Sequence, residues 1–400
     1  MTSTIDNQSE VARPGDADDA ASLPRLMIVG AFPPADAKIF GGVITSCRLL
    51  LASSLPTKAR LILVDSTQIS NPPPGFFVRA FRAASRSIRF VKMFEQGRPD
   101  VVLLFSSPGA STLEKGVFAW YARLRRVPAL LFPRGGKLMD AARRSWFTRI
   151  WLRGVCRGAA MILCQGPAWQ RFATQTLGFA ESSAPVITNW TATTRLLDIG
   201  RERRFIPGNR PIELLFVGWV EQKKGIAELA EAFRIVSRSQ SVHLNIVGGG
   251  HAMPWLQEFV GLHGLESTVR FSGWLGSDDI EAAYRQADVL VLPSWAEGLP
   301  NSMIEAMAAK VAVVVSAVGN IPDLVADGRE ALLVPPKAVD ALALALTRIV
   351  EDAGLRECIA EAGHALAARE FAVEIAVTRL LDAIDISRGV SRASATKTPG

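Results

Sequence analysis

The sequence predicts an α/β protein of two doubly wound domains that face each other across a cleft. The chain has 400 residues, more than the roughly 250–300 residues at which a single hydrophobic core stops growing. Short apolar runs alternate with segments of helical periodicity along most of its length, which is typical of parallel sheets covered by helices. The alternation restarts after residue 211, and this restart predicts the second domain.

The first domain is predicted over residues 25–200, and its apolar runs predict five strands. These strands are expected at 25–30, 60–64, 101–105, 129–132 and 161–164. The flanking segments 1–24 and 388–400 are polar and show no periodicity, so we expect a disordered N-terminal extension and a disordered tail.

The second domain is predicted over residues 212–370. The stretch 193–211 is rich in arginine and contains Pro207, Gly208 and Pro211. It shows no apolar periodicity, so we interpret it as linker, with 201–211 as the connection between the domains. A last helix over 371–387 is expected to return to the N-terminal domain.

Charge is divided unevenly along the chain. Residues 25–205 carry 27 Lys and Arg against 9 Asp and Glu, whereas residues 206–400 carry 17 against 24. The basic first half predicts an anionic partner, which could be a membrane surface, a phosphorylated substrate or nucleic acid. No recognisable nucleic-acid-binding motif is present, so we exclude nucleic acid.

One basic stretch has the pattern of a helix at a membrane surface. Cations recur every three or four residues, at Arg79, Arg82, Arg86, Arg89 and Lys92, with aromatic and aliphatic residues between them. Segments 120–126 and 143–157 add further arginine and tryptophan. This pattern predicts binding to anionic lipid, and the alternative is a core-facing helix with a solvated basic face.

The sequence also predicts the cellular compartment of the protein. No apolar run approaches the ~20 residues that span a bilayer, and the N-terminus lacks a secretory apolar core. The four cysteines form no Cys-x-x-Cys pair, so we expect small buried side chains in a reducing compartment. We therefore expect a cytoplasmic protein that binds the membrane peripherally.

Glu297 and Glu305 form the most informative motif. An apolar strand-like run, 288–293, precedes Glu297, and a helix-like run, 303–309, contains Glu305. Both carboxylates are therefore expected at the carboxyl edge of a parallel sheet, where open α/β folds bind ligands. The helix start suits a phosphate, whereas carboxylates accept hydrogen bonds from sugar hydroxyls. The combination predicts a nucleotide-sugar site.

With the strand end Leu292-Pro293-Ser294 before it, this motif resembles the retaining glycosyltransferases of the GT4 family. The resemblance is specific over 206–369 and looser over 25–190. It implies the GT-B fold of two Rossmann-like domains. It also implies that Glu305 holds the ribose hydroxyls of the donor and that Glu297 contacts the transferred sugar and steadies charge at its anomeric carbon. The residues implied to approach the diphosphate, largely through their backbone, are Leu299, Pro300, Asn301 and Ser302, and Gly298 is implied to contact the donor.

A second motif runs from Gly218 to Gly225. The family has Gly-Arg, four residues and then Lys-Gly at this point, so Lys224 is implied to stabilise the leaving diphosphate. Trp219 stands where the family has arginine, and one phosphate cation is therefore missing. Lys223, or Arg134 from the first domain, could replace it.

Further glycines and Arg134 complete the predicted site. The resemblance implies donor contacts at Gly249, Gly273 and Leu275, and contacts from the first domain at Gly41 and Gly42. Glycines in tight turns are the alternative interpretation. Many relatives have a histidine near Arg134, whereas all four histidines of this chain lie in the second half. Arg134 is thus predicted either to contact donor sugar or phosphate or to form a structural ion pair.

The resemblance implies a retaining, hexosyltransferase-type glycosyltransferase that needs no cofactor and no metal. Its substrates would be a nucleotide-sugar donor and a lipid-linked saccharide acceptor, used in bacterial surface polysaccharide biosynthesis such as that of exopolysaccharide or lipopolysaccharide. Two alternatives remain at this point: a nucleotide-sugar epimerase on the same fold, and a non-catalytic nucleotide-sugar-binding subunit.

Overall fold

The computed structural model describes residues 23–33, 41–67, 76–107, 109–134, 137–205 and 210–389. The predicted disordered segments, 1–24 and 388–400, lie almost wholly outside these ranges. Two separate parallel sheets organise the described chain, and helices cover them on both faces.

The N-terminal sheet has five parallel strands in the order β2-β1-β3-β4-β5. Its strands are β1 (Arg25–Gly30), β2 (Arg60–Asp65), β3 (Val101–Ser106), β4 (Ala129–Pro133) and β5 (Met161–Ile162). Every residue of β3 is buried, because helices lie on both faces of the sheet. An uninterrupted apolar run is what such a strand requires.

Seven α-helices are described around this sheet before residue 172. They are α1 (Gly42–Leu51), α2 (Leu55–Lys58), α3 (Phe76–Gly97), α4 (Ala110–Leu124), α5 (Lys137–Arg144), α6 (Trp146–Cys156) and α7 (Pro167–Arg171). A π-helical turn, Phe172–Leu177, continues α7, and a 3₁₀ turn follows at Glu181–Ser183. The helices enclose two hydrophobic clusters, and the side chains of the sheet are divided between them.

The predicted linker begins with a helix, so the prediction of irregular structure is wrong for residues 194–202. Helix α8 spans Thr194–Glu202, and the Thr193 hydroxyl caps it by accepting from the Leu196 N–H. Leu196, Leu197 and Ile199 are buried in the core of the C-terminal domain. The short apolar face of this helix is difficult to recognise in the sequence because arginines surround it.

The C-terminal sheet has six parallel strands in the order β11-β10-β9-β6-β7-β8. These strands are β6 (Ile212–Val217), β7 (Val242–Val247), β8 (Val269–Gly273), β9 (Val289–Leu292), β10 (Ala312–Ser316) and β11 (Leu332–Val334). The order reverses at β6, which pairs with both β7 and β9. Such a reversal opens the crevice in which doubly wound folds bind ligands.

The helices of this domain are α9 (Ile226–Val236), α10 (Met253–Leu262), α11 (Ser277–Gln286), α12 (Asn301–Ala308), α13 (Ile321–Leu324), α14 (Val339–Glu351) and α15 (Ala353–Glu370). A 3₁₀ turn at Gln222–Lys224 precedes α9. Together with the sheet they bury one continuous core.

The last helix, α16 (Val373–Ser387), packs against the N-terminal domain. Its residues Val377, Leu380 and Ile384 share a cluster with Ile28 and Leu103 of the N-terminal sheet. The chain therefore crosses from the second domain back to the first.

Three of the four cysteines are buried, as expected, but Cys358 is exposed. The expectation of burial is wrong for that residue. It lies on α15, and none of the four forms a disulfide.

Candidate active site

The reversal of strand order brings the two predicted catalytic residues together. Lys224 follows β6 and Glu297 follows β9, and these strands are neighbours. The Lys224 ammonium donates to Oε1 of Glu297 at 2.5 Å. The two side chains remain 22% and 12% exposed, so the pair is sheltered from water and still open to a ligand.

Gly225 holds Lys224 in place at the end of the 3₁₀ turn. Its φ of 72° lies in the left-handed region, which glycine adopts without steric cost. A methyl group here would lie 2.1 Å from the Pro293 carbonyl oxygen at the end of β9. Beside it, the Trp295 N–H donates to the Lys223 carbonyl oxygen at 2.9 Å. The two loops are thus joined by their backbones.

Gly225→Ala is therefore expected to destabilise the C-terminal domain. Left-handed strain and the clash with Pro293 act together, and strained backbone alone costs about 1–3 kcal/mol per residue. Gly264→Ala is the matched control, since Gly264 has a similar φ of 66° but open space around it. Chemical denaturation of both variants checks this: equal losses of unfolding free energy would contradict the tight approach at Gly225.

The loop after Glu297 leads directly into α12. Pro300 precedes the helix as its N-cap residue and has extended backbone. The first backbone N–H groups of a helix have no partner within the helix, so those of Asn301 and Ser302 are suited to bind an anion. Behind the loop, the Asn320 N–H donates to the Gly298 carbonyl oxygen at 2.9 Å. This contact fixes the loop from the side of β10.

Glu305 lies one turn into α12, where the Tyr284 hydroxyl donates to its Oε2 at 2.7 Å. Removal from water raises the pKa of Glu305 to about 7, although the hydrogen bond from Tyr284 partly opposes this. Burial and the neighbouring carboxylate raise the pKa of Tyr284 well above its usual value. Near neutral pH the carboxyl group is therefore poised between its neutral and ionised forms.

The predicted glycine positions lie at the carboxyl ends of β6, β7 and β8. The Gly218 N–H donates to Val247 O at 3.0 Å, and the Gly248 N–H donates to Gly273 O at 2.7 Å. A methyl group on Gly249 would lie 2.9 Å from Nε1 of Trp274. Leu275 follows and is partly buried. These loops form one connected rim beside Lys224.

Trp219, in the position of the family's arginine, packs against Trp274. Their rings meet edge to face with centroids 4.8 Å apart. The side chain at this position of the rim is therefore aromatic rather than cationic.

The two candidates for the missing cation differ in their surroundings. Lys223 is more than half exposed and pairs with Glu221 at 2.5 Å. Arg134 lies at the end of β4, is only 8% exposed, and donates from Nη2 to the Ser46 hydroxyl at 2.8 Å. Burial lowers its pKa to about 10. No carboxylate within the described ranges pairs with Arg134, so the structural ion pair considered above is not found there.

The N-terminal domain approaches the start of α12 through Gly42. A methyl group on Gly42 would lie 3.4 Å from Nδ2 of Asn301. Gly41 precedes α1 with extended backbone. Gly42 therefore lies opposite the glutamate loop, and a donor contact from Gly41 and Gly42 stays a prediction.

Sequence reasoning missed three residues that position this loop. Asn189 donates from Nδ2 to Leu299 O at 2.7 Å and to Asn301 Oδ1 at 2.8 Å, and the Thr191 hydroxyl donates to Asn301 O at 3.2 Å. In the sequence, helical spacing places Tyr284 only on an apolar helix face with Ile280 and Ala287. A buried tyrosine needs a partner for its hydroxyl, which is the signal that could have found it, whereas Asn189 and Thr191 carry no such signal.

Within the parts of the chain described here, no group of three or more His, Cys, Asp or Glu side chains is arranged to hold a metal ion. The same parts contain no helix with the length and apolarity needed to cross a membrane.

The fold and the site define a two-domain glycosyltransferase architecture of the GT-B type. Residues 211–352 match the family model described as "Glycosyl transferases group 1", and residues 59–190 match the "Glycosyl transferase 4-like domain". The chain belongs to this group 1 glycosyltransferase family.

Curated relatives match over a little less than half of this chain. The chain is 30% identical to an alpha-D-kanosaminyltransferase of Streptomyces kanamyceticus over 43% of its own length and 45% of the relative. It is 31% identical to the lipopolysaccharide core biosynthesis glycosyltransferase LpsE of Rhizobium meliloti, over 47% and 54% of the two chains. These matches thus span only about half of each relative.

Solved structures match over nearly the whole chain. Anabaena HepE in complex with UDP and glucose gives a TM-score of 0.68 at 18% identity, with 91% of this chain and 100% of that chain covered. Sucrose-phosphate synthase from Thermosynechococcus elongatus also gives 0.68, at 21% identity, with 94% and 92% covered. At these identities the likeness shows the fold, and the prediction of two Rossmann-like domains is confirmed.

Proposed function

We propose that the protein transfers a sugar from a nucleotide-sugar to a saccharide acceptor and retains the anomeric configuration. The Lys224–Glu297 pair carries this proposal, because it places a cation and a carboxylate beside the amide-rich start of α12. A diphosphate and a sugar ring are the two neighbouring chemical groups that such an arrangement can bind. The nucleotide-sugar bound in a crystal structure of Anabaena HepE, a protein of the same fold, supports a donor of this class.

The charges fit a reaction in which a diphosphate leaves. Lys224 carries three N–H donors, so it can keep Glu297 and also bind a phosphate oxygen. The N–H groups at the start of α12 would stabilise the same growing negative charge. Glu297 would accept hydrogen bonds from the sugar and steady positive charge at its anomeric carbon. A leaving phosphate oxygen can take the proton of the acceptor.

We further propose a lipid-linked acceptor at the inner face of the cytoplasmic membrane, in bacterial surface polysaccharide assembly. Support comes from an apolar surface on the N-terminal domain. Of the 18 large hydrophobic side chains that are exposed in the described part of the chain, 12 lie on α3, α4 and α6. We call these the membrane face: Val78, Phe81, Ile88, Val91, Leu113, Val117, Trp120, Leu124, Trp146, Phe147, Ile150 and Trp151.

Helices α4 and α6 present the membrane face side by side. The Trp120 indole on α4 donates to Gly154 O on α6 at 3.0 Å. On α4 the exposed apolar residues follow one another at three- and four-residue spacing and so form a single stripe. Contiguous exposed apolar surface of this kind marks an interaction site in a soluble domain.

The charges around the membrane face favour anionic lipid. The three helices carry two acidic residues, Glu95 and Glu114. Glu95 pairs with Arg125, and Glu114 pairs with Arg86 and Lys115. Among the described side chains of these helices, no other ion pair with Glu95 or Glu114 is found. Each cation near an anionic surface contributes about 1 kcal/mol.

The membrane face predicts salt-sensitive binding to phosphatidylcholine vesicles that contain phosphatidylglycerol. Trp146→Ser with Phe147→Ser should weaken co-sedimentation at least about tenfold, since each buried aromatic contributes roughly 1.5–3 kcal/mol. Trp255→Ser is the control, because Trp255 is comparably exposed on the other domain. Equal binding to vesicles without phosphatidylglycerol would refute the electrostatic part of this proposal.

The transfer reaction is tested with a panel of UDP- and GDP-sugars and an extract of lipid-linked saccharides. A labelled lipid product that requires both substrates is the expected result. An epimer formed from donor alone would instead indicate the epimerase, and nucleotide binding without any product would indicate a binding subunit.

A further inference from the structure

Arg134 is a buried cation whose hydrogen-bonding capacity is only partly used. Nη2 donates to the Ser46 hydroxyl, whereas Nη1 is buried and has no hydrogen-bond partner among the described residues. The guanidinium lies over the rings of Phe132 and Trp190, at 4.9 and 5.4 Å from their centroids. These rings hold it rigidly but supply no hydrogen-bond acceptor. Burying an unpaired charged donor is unfavourable, so the site is suited to an anion.

The other predicted cations of the cleft already have carboxylate partners. Lys223 pairs with Glu221, and Lys224 pairs with Glu297. A diphosphate carries more negative charge than Lys224 alone balances. Arg134 differs from both lysines because no carboxylate in the described chain offsets its charge.

Two chains of contacts connect Arg134 to the proposed diphosphate position. Along α1, Ser46 lies one helical turn, about 6 Å, beyond Gly42, and Gly42 lies against Asn301. On the other side, the Trp190 indole donates to Ser46 O at 3.0 Å. The preceding residue, Asn189, donates to Asn301 Oδ1 at 2.8 Å. Arg134 and the start of α12 are thus connected through Ser46 and Gly42 on one side and through Trp190 and Asn189 on the other.

We infer that Arg134 binds a phosphate group in the cleft, so that the phosphate site is shared between the two domains. This inference rests on the proposed function, because the phosphate arrives with a substrate. The donor diphosphate is the expected source, given the contact of Gly42 with Asn301. A phosphate of the lipid-linked acceptor has the same chemistry. The experiment described next distinguishes the acceptor phosphate from the donor diphosphate. A guanidinium binds phosphate in two parallel hydrogen bonds, which lysine cannot reproduce.

Calorimetric titration with UDP and GDP, each against its nucleoside, tests the inference. In Arg134→Met, the Kd for the preferred nucleoside diphosphate should rise about 10–100-fold, as expected for hydrogen bonds to a charged group. The Kd of the nucleoside should not change. Arg134→Lys keeps the charge and should show a smaller loss. Arg25→Met is the matched control, because Arg25 lies at the opposite, amino end of the N-terminal sheet and pairs with Asp100; it should change the Kd less than about threefold.

The outcomes separate this inference from the proposed function. If the wild-type protein binds neither nucleotide, the proposed function and the inference fail together. If it binds UDP or GDP and Arg134→Met binds equally well, the inference fails for the donor alone. A raised KM for the lipid-linked acceptor with an unchanged nucleotide Kd would then assign Arg134 to the acceptor phosphate, and no change in either would overturn the phosphate site. Thermal unfolding of Arg134→Met and Arg134→Lys identifies any loss that comes from misfolding.

Discussion

Glu297→Gln is expected to lower kcat of sugar transfer by about 100–1000-fold, the range seen when one group that stabilises transition-state charge is removed. Glutamine keeps the size of the side chain and can still hydrogen-bond sugar hydroxyls. It cannot offset positive charge at the anomeric carbon. It also no longer neutralises Lys224, which would then be free for the phosphate. The Kd of the donor should therefore stay the same or fall while turnover collapses.

Glu221→Gln is the matched control for this change. Glu221 pairs at 2.5 Å with Lys223, the residue before Lys224. The side chains of Glu221 and Glu297 are equally exposed to solvent. Its removal should leave kcat within about threefold, because a pair with one exposed partner contributes about 0–1 kcal/mol. Pre-steady-state and steady-state transfer assays on both variants decide the matter. A Glu297→Gln enzyme with nearly full turnover would show that the catalytic assignment is wrong.

The sequence predicts the parts of this site that depend on local patterns. Strand β9 is a continuous apolar run and helix α12 has helical periodicity, so the sequence locates the junction between them. Glu297 and Glu305 are located with that junction. Strand order then determines which loops meet. Because β6 and β9 are neighbours, Lys224 contacts Glu297 although 73 residues separate them in sequence. The motif resemblance implied that both residues lie at the donor site, whereas periodicity alone did not.

Features that depend on long-range packing could not be predicted in this way. Whether Arg134 ion-pairs or stays unpaired depends on Ser46 and Trp190, which are remote in sequence. Asn189 reaches the glutamate loop from the other domain for the same reason. Helix α8 was missed because charged residues outnumber the few apolar ones that it buries. A prediction from local composition counts every residue equally. A short helix, however, is stabilised mainly by the packing of its apolar face against the rest of the protein.

Donor binding is expected to depend on pH through Glu305. Ribose hydroxyls donate to the ionised carboxylate, whereas burial raises the pKa of this group to about 7. Below that pH the carboxyl must lose a proton before it can accept both hydroxyls. The Kd for UDP or GDP should therefore weaken by up to about tenfold per pH unit as the pH falls below 7. Above pH 7 the Kd should level off. The effect on folding has the opposite sign, because a raised carboxyl pKa lowers stability as the pH rises from the ordinary value of 4.5 to about 7.

Two variants connect this pH dependence to Glu305 itself. Glu305→Gln cannot ionise, so it should bind nucleotide about 10–100-fold more weakly at pH 8 and lose the dependence near pH 7. Tyr284→Phe removes the hydrogen bond that lowers the pKa of Glu305, so its binding curve should shift to higher pH. Calorimetric titrations from about pH 5.5 to 8.5 distinguish these results. A Tyr284→Phe curve with an unmoved midpoint would place the titrating group elsewhere, and a Glu305→Gln curve that keeps the wild-type shape would exclude Glu305 as the ribose-binding carboxylate.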